Sequence, residues 1–172
     1  MPEFFHLADP QLFQLQSKRL TIRPLAEQDR VMYCALYTDP ELMQFIAPVL
    51  SVEKAQRSFD IALRLSQQQP FKQLFLALYL QEAAVGMVGF NAVDPDRKLA
   101  EIGVLLTKSG IGFGFGQEAL AAVSQRFLQL MPDFMLYTDI NPNNTAAQHM
   151  VRQVGFLPDQ QNSRLFWLQR EK

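Results

Sequence analysis

Gly112-Phe113-Gly114-Phe115-Gly116-Gln117-Glu118-Ala119-Leu120 alternates glycine with aromatics and runs into an amphipathic helical pattern, directly after the apolar run Ile102 to Leu106. The spacing predicts a strand, a glycine loop and a helix start. The first four N–H groups of a helix have no intrahelical acceptor, and the macrodipole adds about half a positive charge there, so such a junction is suited to an anion. Two familiar glycine loops are excluded. The third glycine of G-x-G-x-x-G would fall on Phe115 or Gln117, and no Gly-Lys-Ser/Thr follows.

Around this junction the chain reads as alternating structure. Leu20, Ile22 and Arg23 begin a strand that Pro24 ends, and Glu27 to Tyr37 places Val31, Met32, Ala35 and Leu36 at helical spacing. Asp39-Pro40 restarts a short helical turn through Phe45, and Ile46 to Ser51 is a loop. Ser51 caps a longer helix whose face is Ala55, Phe59, Ala62, Leu63 and Ser66, which Pro70 forbids from continuing. Strands follow at Leu74 to Leu80, Val85 to Val93 and Leu99 to Leu106, separated by Gln81-Glu82 and Asp94-Pro95-Asp96, an antiparallel meander. After the glycine loop come a helix to about Gln129, a strand at Phe134 to Asp139, a helix after Asn144, and strands near Phe156 and at Leu165 to Gln169. Residues 1–17 carry Pro2 and Pro10 without a clear period and read as an extended arm over the surface. Helices packed on a mixed sheet are expected.

Composition sets the class. At 172 residues, with 48% hydrophobic and 19% charged residues, the chain has the size of one globular domain with a full core. A net charge of −1 provides no general field for nucleic acid or anionic membrane, so anion binding must be local. A nucleic-acid module would need a basic stripe with stacking aromatics, which the chain lacks. No basic, apolar leader opens the sequence and no run is long enough to span a bilayer, so a cytoplasmic location is expected. Cys34 sits within an apolar helical pattern and reads as a core cysteine.

The loop resembles the pyrophosphate loop of the GNAT N-acetyltransferase superfamily. That pattern, Gln or Arg, two residues, Gly, one residue, Gly or Ala, falls on Ile111, Gly114 and Gly116, with Glu118-Ala119-Leu120 as the usual continuation. Other stretches are similar in the family's order. Arg19 to Leu25 with Asp29 resembles the opening strand and helix of the ribosomal-protein N-acetyltransferase branch, and Asp39-Pro40-Glu41-Leu42-Met43 the break between its first two helices. Ala100-Glu101-Ile102-Gly103 resembles its fourth strand, and Asn144 through Gly155-Phe156 its closing motif. The resemblance covers Leu15 to Phe156. It implies an α/β protein with the GNAT fold: one mixed, mostly antiparallel twisted sheet of six to seven strands, with about four helices on both faces.

The resemblance also implies roles. Acetyl-CoA would be the acetyl donor, its pyrophosphate over Gly112, Phe113, Gly114, Phe115 and Gly116, and its pantetheine and thioester along Val104, Leu105 and Leu106, where that strand parts from Phe134 to Asp139. Asn144 matches the asparagine that bonds CoA, and a plain N-cap role is compatible with it. Glu101 matches the glutamate that removes the amine proton through water; a solvent-facing glutamate paired with Arg97 or Lys98 is the competing reading. Phe45 and Phe113 are candidates to line an acceptor cleft. No metal is implied.

Three positions depart from the family pattern. Ile111 replaces the Arg or Gln beside the pyrophosphate, with Lys108 the candidate substitute, and Ala147 and Val151 stand where relatives carry Ser and Tyr proton donors. A thiol of pKa about 8.5 still leaves as its anion, so transfer is impaired rather than abolished. With so little acid–base equipment, an α-amine of pKa about 7.7–8.0 suits the site better than a lysine near 10.4. The chain is therefore expected to acetylate a primary amine, on a protein or peptide N-terminus or a small molecule, by direct attack in a ternary complex. A catalytically weak CoA-binding sensor or interaction protein is the alternative. His149 reads as a surface residue, and Leu165-Phe166-Trp167 as an apolar hairpin able to support a homodimer.

Overall fold

The computed structural model describes residues 8–168. In chain order the elements are β1 (Leu15–Gln16), β2 (Thr21–Pro24), α1 (Arg30–Thr38), α2 (Pro40–Met43), α3 (Val52–Leu65), β3 (Leu74–Leu80), β4 (Ala83–Asp94) and β5 (Leu99–Leu106). They continue with α4 (Phe115–Leu130), β6 (Met135–Asp139), α5 (Thr145–Val154), β7 (Phe156–Pro158) and β8 (Leu165–Leu168). The strands form one sheet in the order β1-β2-β3-β4-β5-β6-β8-β7. Every neighbouring pair is antiparallel except β5 and β6, which the α4 crossover makes parallel.

The central strands read as unbroken apolar runs because both of their faces are covered. On β3, Leu74, Leu76 and Leu78 enter a core with Phe115, Leu120, Val123 and Phe127 of α4. The alternate residues Phe75, Ala77 and Tyr79 pack with Met32, Tyr33 and Leu36 of α1 and Phe59 of α3. Ser51 caps α3 by accepting from the Lys54 N–H at 3.3 Å, and at the other end Ser66 Oγ accepts from the Phe75 N–H at 2.9 Å, which ties that helix to β3. Among the described residues no helix is long and apolar enough to cross a membrane.

Among the described residues the sheet has eight strands and five α-helices pack on it, against the six to seven strands and about four helices expected. The differences lie in two short pieces, the two-residue β1 and the one-turn α2. The expected surface arm is also corrected: within residues 8–17, Ala8 and Phe13 are fully buried, and Phe13 lies edge-on to Phe71 and Phe90 at 5.5 and 5.6 Å. Residues 1–7 and Gln169 lie outside the described residues. On α1 the buried stripe is Met32, Tyr33 and Leu36, and Val31 is 82% exposed. Tyr33 can be buried because its hydroxyl pairs with Ser58 at 2.8 Å and its ring meets Phe59 edge-on. The C-terminal hairpin is less exposed than expected, since Phe166 points into the core.

Asp29 is a fully buried carboxylate that joins three elements. It accepts two bonds from the Arg23 guanidinium at 2.8 and 2.9 Å, one from the Ala26 N–H at 2.8 Å and one from the Tyr79 hydroxyl at 2.6 Å. Removing Asp29 takes the acceptor from the partly buried Arg23 guanidinium, the Tyr79 hydroxyl and the Ala26 N–H together, which costs about 3–5 kcal/mol. Asp29→Ala is therefore expected to lower unfolding free energy by about that amount in urea titration, and a loss below about 1 kcal/mol would contradict the assignment.

Candidate active site

The strand that the family comparison counted as its fourth is β5. It pairs with β6 through only three positions, Leu99 with Met135, Ala100 with Leu136 and Glu101 with Tyr137. Beyond Glu101 it continues to Leu106 against β4 alone, while β6 turns to β8 through Asp139 and Leu165. The sheet thus opens in a V, and a cavity of about 340 Å³ lies at the opening.

Its walls come from both faces of the sheet. Tyr37, Phe75, Met87 and Leu105 line it from the α1/α3 side, and Val104, Leu120, Ala147 and Val151 from the α4/α5 side. Five of the expected site residues, Phe45, Glu101, Val104, Leu105 and Asn144, border this one space although they come from three separate segments. Asn144 is also the N-cap of α5, its side chain accepting from the Ala147 N–H at 3.1 Å. The far rim is closed by Arg164, which pairs with Asp139 at 2.7 Å.

The glycine loop lies beside the cavity. Gly112 and Gly114 have φ of +91° and +77°, a region that side chains rarely adopt, and Gly114 ends the turn as the N-cap of α4. The first α4 bond runs from the Glu118 N–H to the Gly114 carbonyl at 3.1 Å, so the N–H groups of Phe115, Gly116 and Gln117 have no intrahelical acceptor. At Gly116 a Cβ would lie 2.7 Å from the Met150 sulfur and 3.3 Å from Leu106, which fixes how closely α4 approaches α5 and β5. Leu106 accordingly packs under the start of α4 and does not line the cavity. Phe115 is buried beneath the loop; Ile111 and Phe113 are 51% and 61% exposed. Phe113 stacks on Phe115 at 5.7 Å and is not part of the cavity wall, which corrects its expected cleft role.

Lys108 does not replace the missing loop cation. Its Nζ pairs with Asp39 at 2.9 Å and Glu41 at 2.8 Å, linking the β5 end to α2. The cation beside the loop is Arg19, a role the sequence reading missed. Its guanidinium donates to the Phe113 carbonyl at 3.0 Å, pairs with Glu118 at 2.7 Å and lies 4.6 Å from the Phe115 ring centre. Burial would raise the Glu118 carboxyl, but bonds from the Ser17 hydroxyl and from Arg19 outweigh it and hold the group below its usual range. A separation of 99 residues hides this pairing from local pattern reading.

Around Glu101 the structure adds two further neighbours. Asn91 Nδ2 donates to Glu101 Oε1 at 3.0 Å from β4. Tyr137 on β6 has its phenol pushed up by burial and by the Glu101 carboxylate, and burial likewise pushes up Tyr37, so both hydroxyls stay protonated at neutral pH. Neither Arg97 nor Lys98 takes Glu101 as its ion-pair partner; Lys98 pairs with Asp133 at 2.8 Å. His149 is exposed, and no cluster of three or more His, Cys, Asp or Glu suited to a metal occurs among the described residues.

Comparison with known proteins agrees with this geometry. A protein described as an uncharacterized N-acetyltransferase p20 from Bacillus licheniformis is 24% identical over 144 residues, covering 83% of this chain and 81% of that one. The ribosomal L7/L12 α-N-protein acetyltransferase RimL in complex with coenzyme A superposes with a TM-score of 0.75 at 19% identity, over 90% of this chain and 94% of that chain. Spermidine N-acetyltransferase from Vibrio cholerae, in complex with CoA and spermine, gives 0.71 at 16% identity over 82% of each chain. Residues 19–157 match the family described as the acetyltransferase (GNAT) domain, and the chain belongs to that family.

Proposed function

We propose that this chain acts as one domain that moves an acetyl group from acetyl-CoA to a primary amine by direct attack in a ternary complex. The observation that carries the reading is the cavity at the parting of β5 and β6, which is lined from both faces of the sheet. Two substrates approaching from opposite faces can meet there without passing through the core.

The residues fit the donor. The N–H groups from Gly112 to Gly116 suit a pyrophosphate, and a Cβ position at Gly112 has nothing within 4 Å, so the loop is open above it. Arg19 holds the loop in place and adds positive charge beside it. Past Glu101, β5 has no partner on its β6 side, which leaves main-chain groups of Val104 to Leu106 for a pantetheine amide and a thioester oxygen. Asn144 faces the same space. When bound, acetyl-CoA supplies the activated carbonyl.

Glu101 takes the proton of the amine, directly or through one water, while the bond from Asn91 keeps its carboxylate in place. Phe45 forms part of the apolar acceptor lip. The acceptor we favour is an α-amine, because a base acting without further help removes a proton more readily from a group of pKa about 7.7–8.0. The RimL comparison, a protein α-N-acetyltransferase by its description, is consistent with that choice.

A catalytically weak CoA binder is the second reading, favoured by one feature. The α5 wall of the cavity presents Ala147, Met150 and Val151, and none of them can protonate a departing thiolate.

Two measurements test the reading. Glu101→Gln should lower kcat by about 10²–10⁴-fold with the acetyl-CoA Kd unchanged in calorimetry; an enzyme whose turnover is indifferent to this change does not use Glu101 as its base. Ile111→Arg should restore a charge-assisted bond of about 1.5–3 kcal/mol and tighten acetyl-CoA about 10- to 100-fold. No gain would remove the pyrophosphate from this loop.

A further inference from the structure

The acceptor side of the cavity floor contains two glycines, Gly89 on β4 and Gly103 on β5, paired directly across the strands. Two positions on, the β4–β5 register shifts between Phe90 and Ala92, so that Ala92 faces Glu101 and Asn91 is the extra residue of a bulge. Freed from the ladder, the Asn91 side chain lies back over the glycine pair. Its Oδ1 is 3.1 Å from where a Gly89 Cβ would stand, its Nδ2 is 3.6 Å from where a Gly103 Cβ would stand, and that Nδ2 bonds Glu101. A side chain at 89 would also meet the Phe75 ring at 3.0 Å. The Asn91 backbone is held as well, its carbonyl accepting from Gln73 Nε2 at 2.6 Å.

We infer that Asn91 is the positioning residue of the acceptor subsite, and that the bare surface over Gly103 sets how much bulk beside the amine the site accepts. The inference rests on the proposed acetyl transfer. One Glu101 oxygen is fixed by Asn91 Nδ2, and the carboxamide Oδ1, an acceptor only, lies at the same cavity. An incoming primary ammonium carries three N–H donors, so one bonds Glu101 while a second bonds Asn91 Oδ1. The bond to Asn91 Oδ1 holds the nitrogen in place while its proton passes to Glu101 and the freed lone pair turns to the thioester carbonyl, a contribution of orientation. Above Gly103 a Cβ meets nothing but the Asn91 amide at ordinary contact distance, so the first carbon substituents of the acceptor have room there.

Two substitutions separate this from a structural role. Asn91→Ala removes both bonds, and Gly103→Ala adds one methyl without a close contact, so each should fold. The probes are triglycine and the tripeptides Ala-Gly-Gly and Leu-Gly-Gly, each with a free α-amine. Asn91→Ala is expected to raise the KM of all three about 3- to 10-fold and to lower kcat, with the acetyl-CoA Kd within twofold of the parent. Gly103→Ala is expected to raise KM most for Leu-Gly-Gly and least for triglycine. An Asn91→Ala enzyme with unchanged acceptor KM, or a Gly103→Ala effect independent of the first residue, overturns the inference while leaving acetyl transfer intact. A parent that binds acetyl-CoA but acetylates none of the three peptides overturns the α-amine choice and this subsite together.

Discussion

The candidate site depends on β5 pairing with two different partners over two different lengths. It is paired with β4 along its whole course but with β6 through only three residues. A sheet that stayed closed would bury the main-chain groups of Val104 to Leu106 in a ladder and leave no passage between its faces. The parting leaves part of a structural strand with an open edge, whose unpaired backbone polar groups need a ligand or water. The surrounding packing keeps the parting from closing. The close approach of Gly116 to Met150 and Leu106 sets α4 against α5 and β5, and the Arg164–Asp139 pair holds β6 to the β8 side.

The meander and both major helices were legible because their signals are local. Leu74–Leu80 and Leu99–Leu106 occur as read, since turn residues bound them and both faces are apolar. The short pieces were not. β1 has two residues and no alternation to detect, and Phe13 is buried by Phe71 and Phe90, partners that local pattern does not connect. The α1 stripe was misread at Val31 and Ala35, both exposed, because Tyr33 counts as polar until Ser58 satisfies its hydroxyl.

The candidate site followed the same division. Gly112, Gly114 and Gly116 are recognisable from spacing, and Glu101 and Asn144 from the resemblance that spacing opened. Arg19 and Asn91 act through partners on other strands and helices, and only the fold brings them together. Arg19 also changes the meaning of Ile111. Ile111 gives the loop no charge at its start, yet a guanidinium reaches it from the N-terminal segment and braces it through Phe113 and Glu118. Because Glu118 neutralises much of that charge, Arg19 orders the loop more than it attracts an anion.

The measurement that bears most directly on this account is a crystal structure with coenzyme A bound. The account predicts the pyrophosphate over Gly112 to Gly116, the pantetheine along Val104 and Leu105, and the sulfur in the cavity between β5 and β6. Coenzyme A seated instead in a shallow groove between Gln16 and Arg126 along α4 would contradict it, and so would a pantetheine that never enters the parting of the strands.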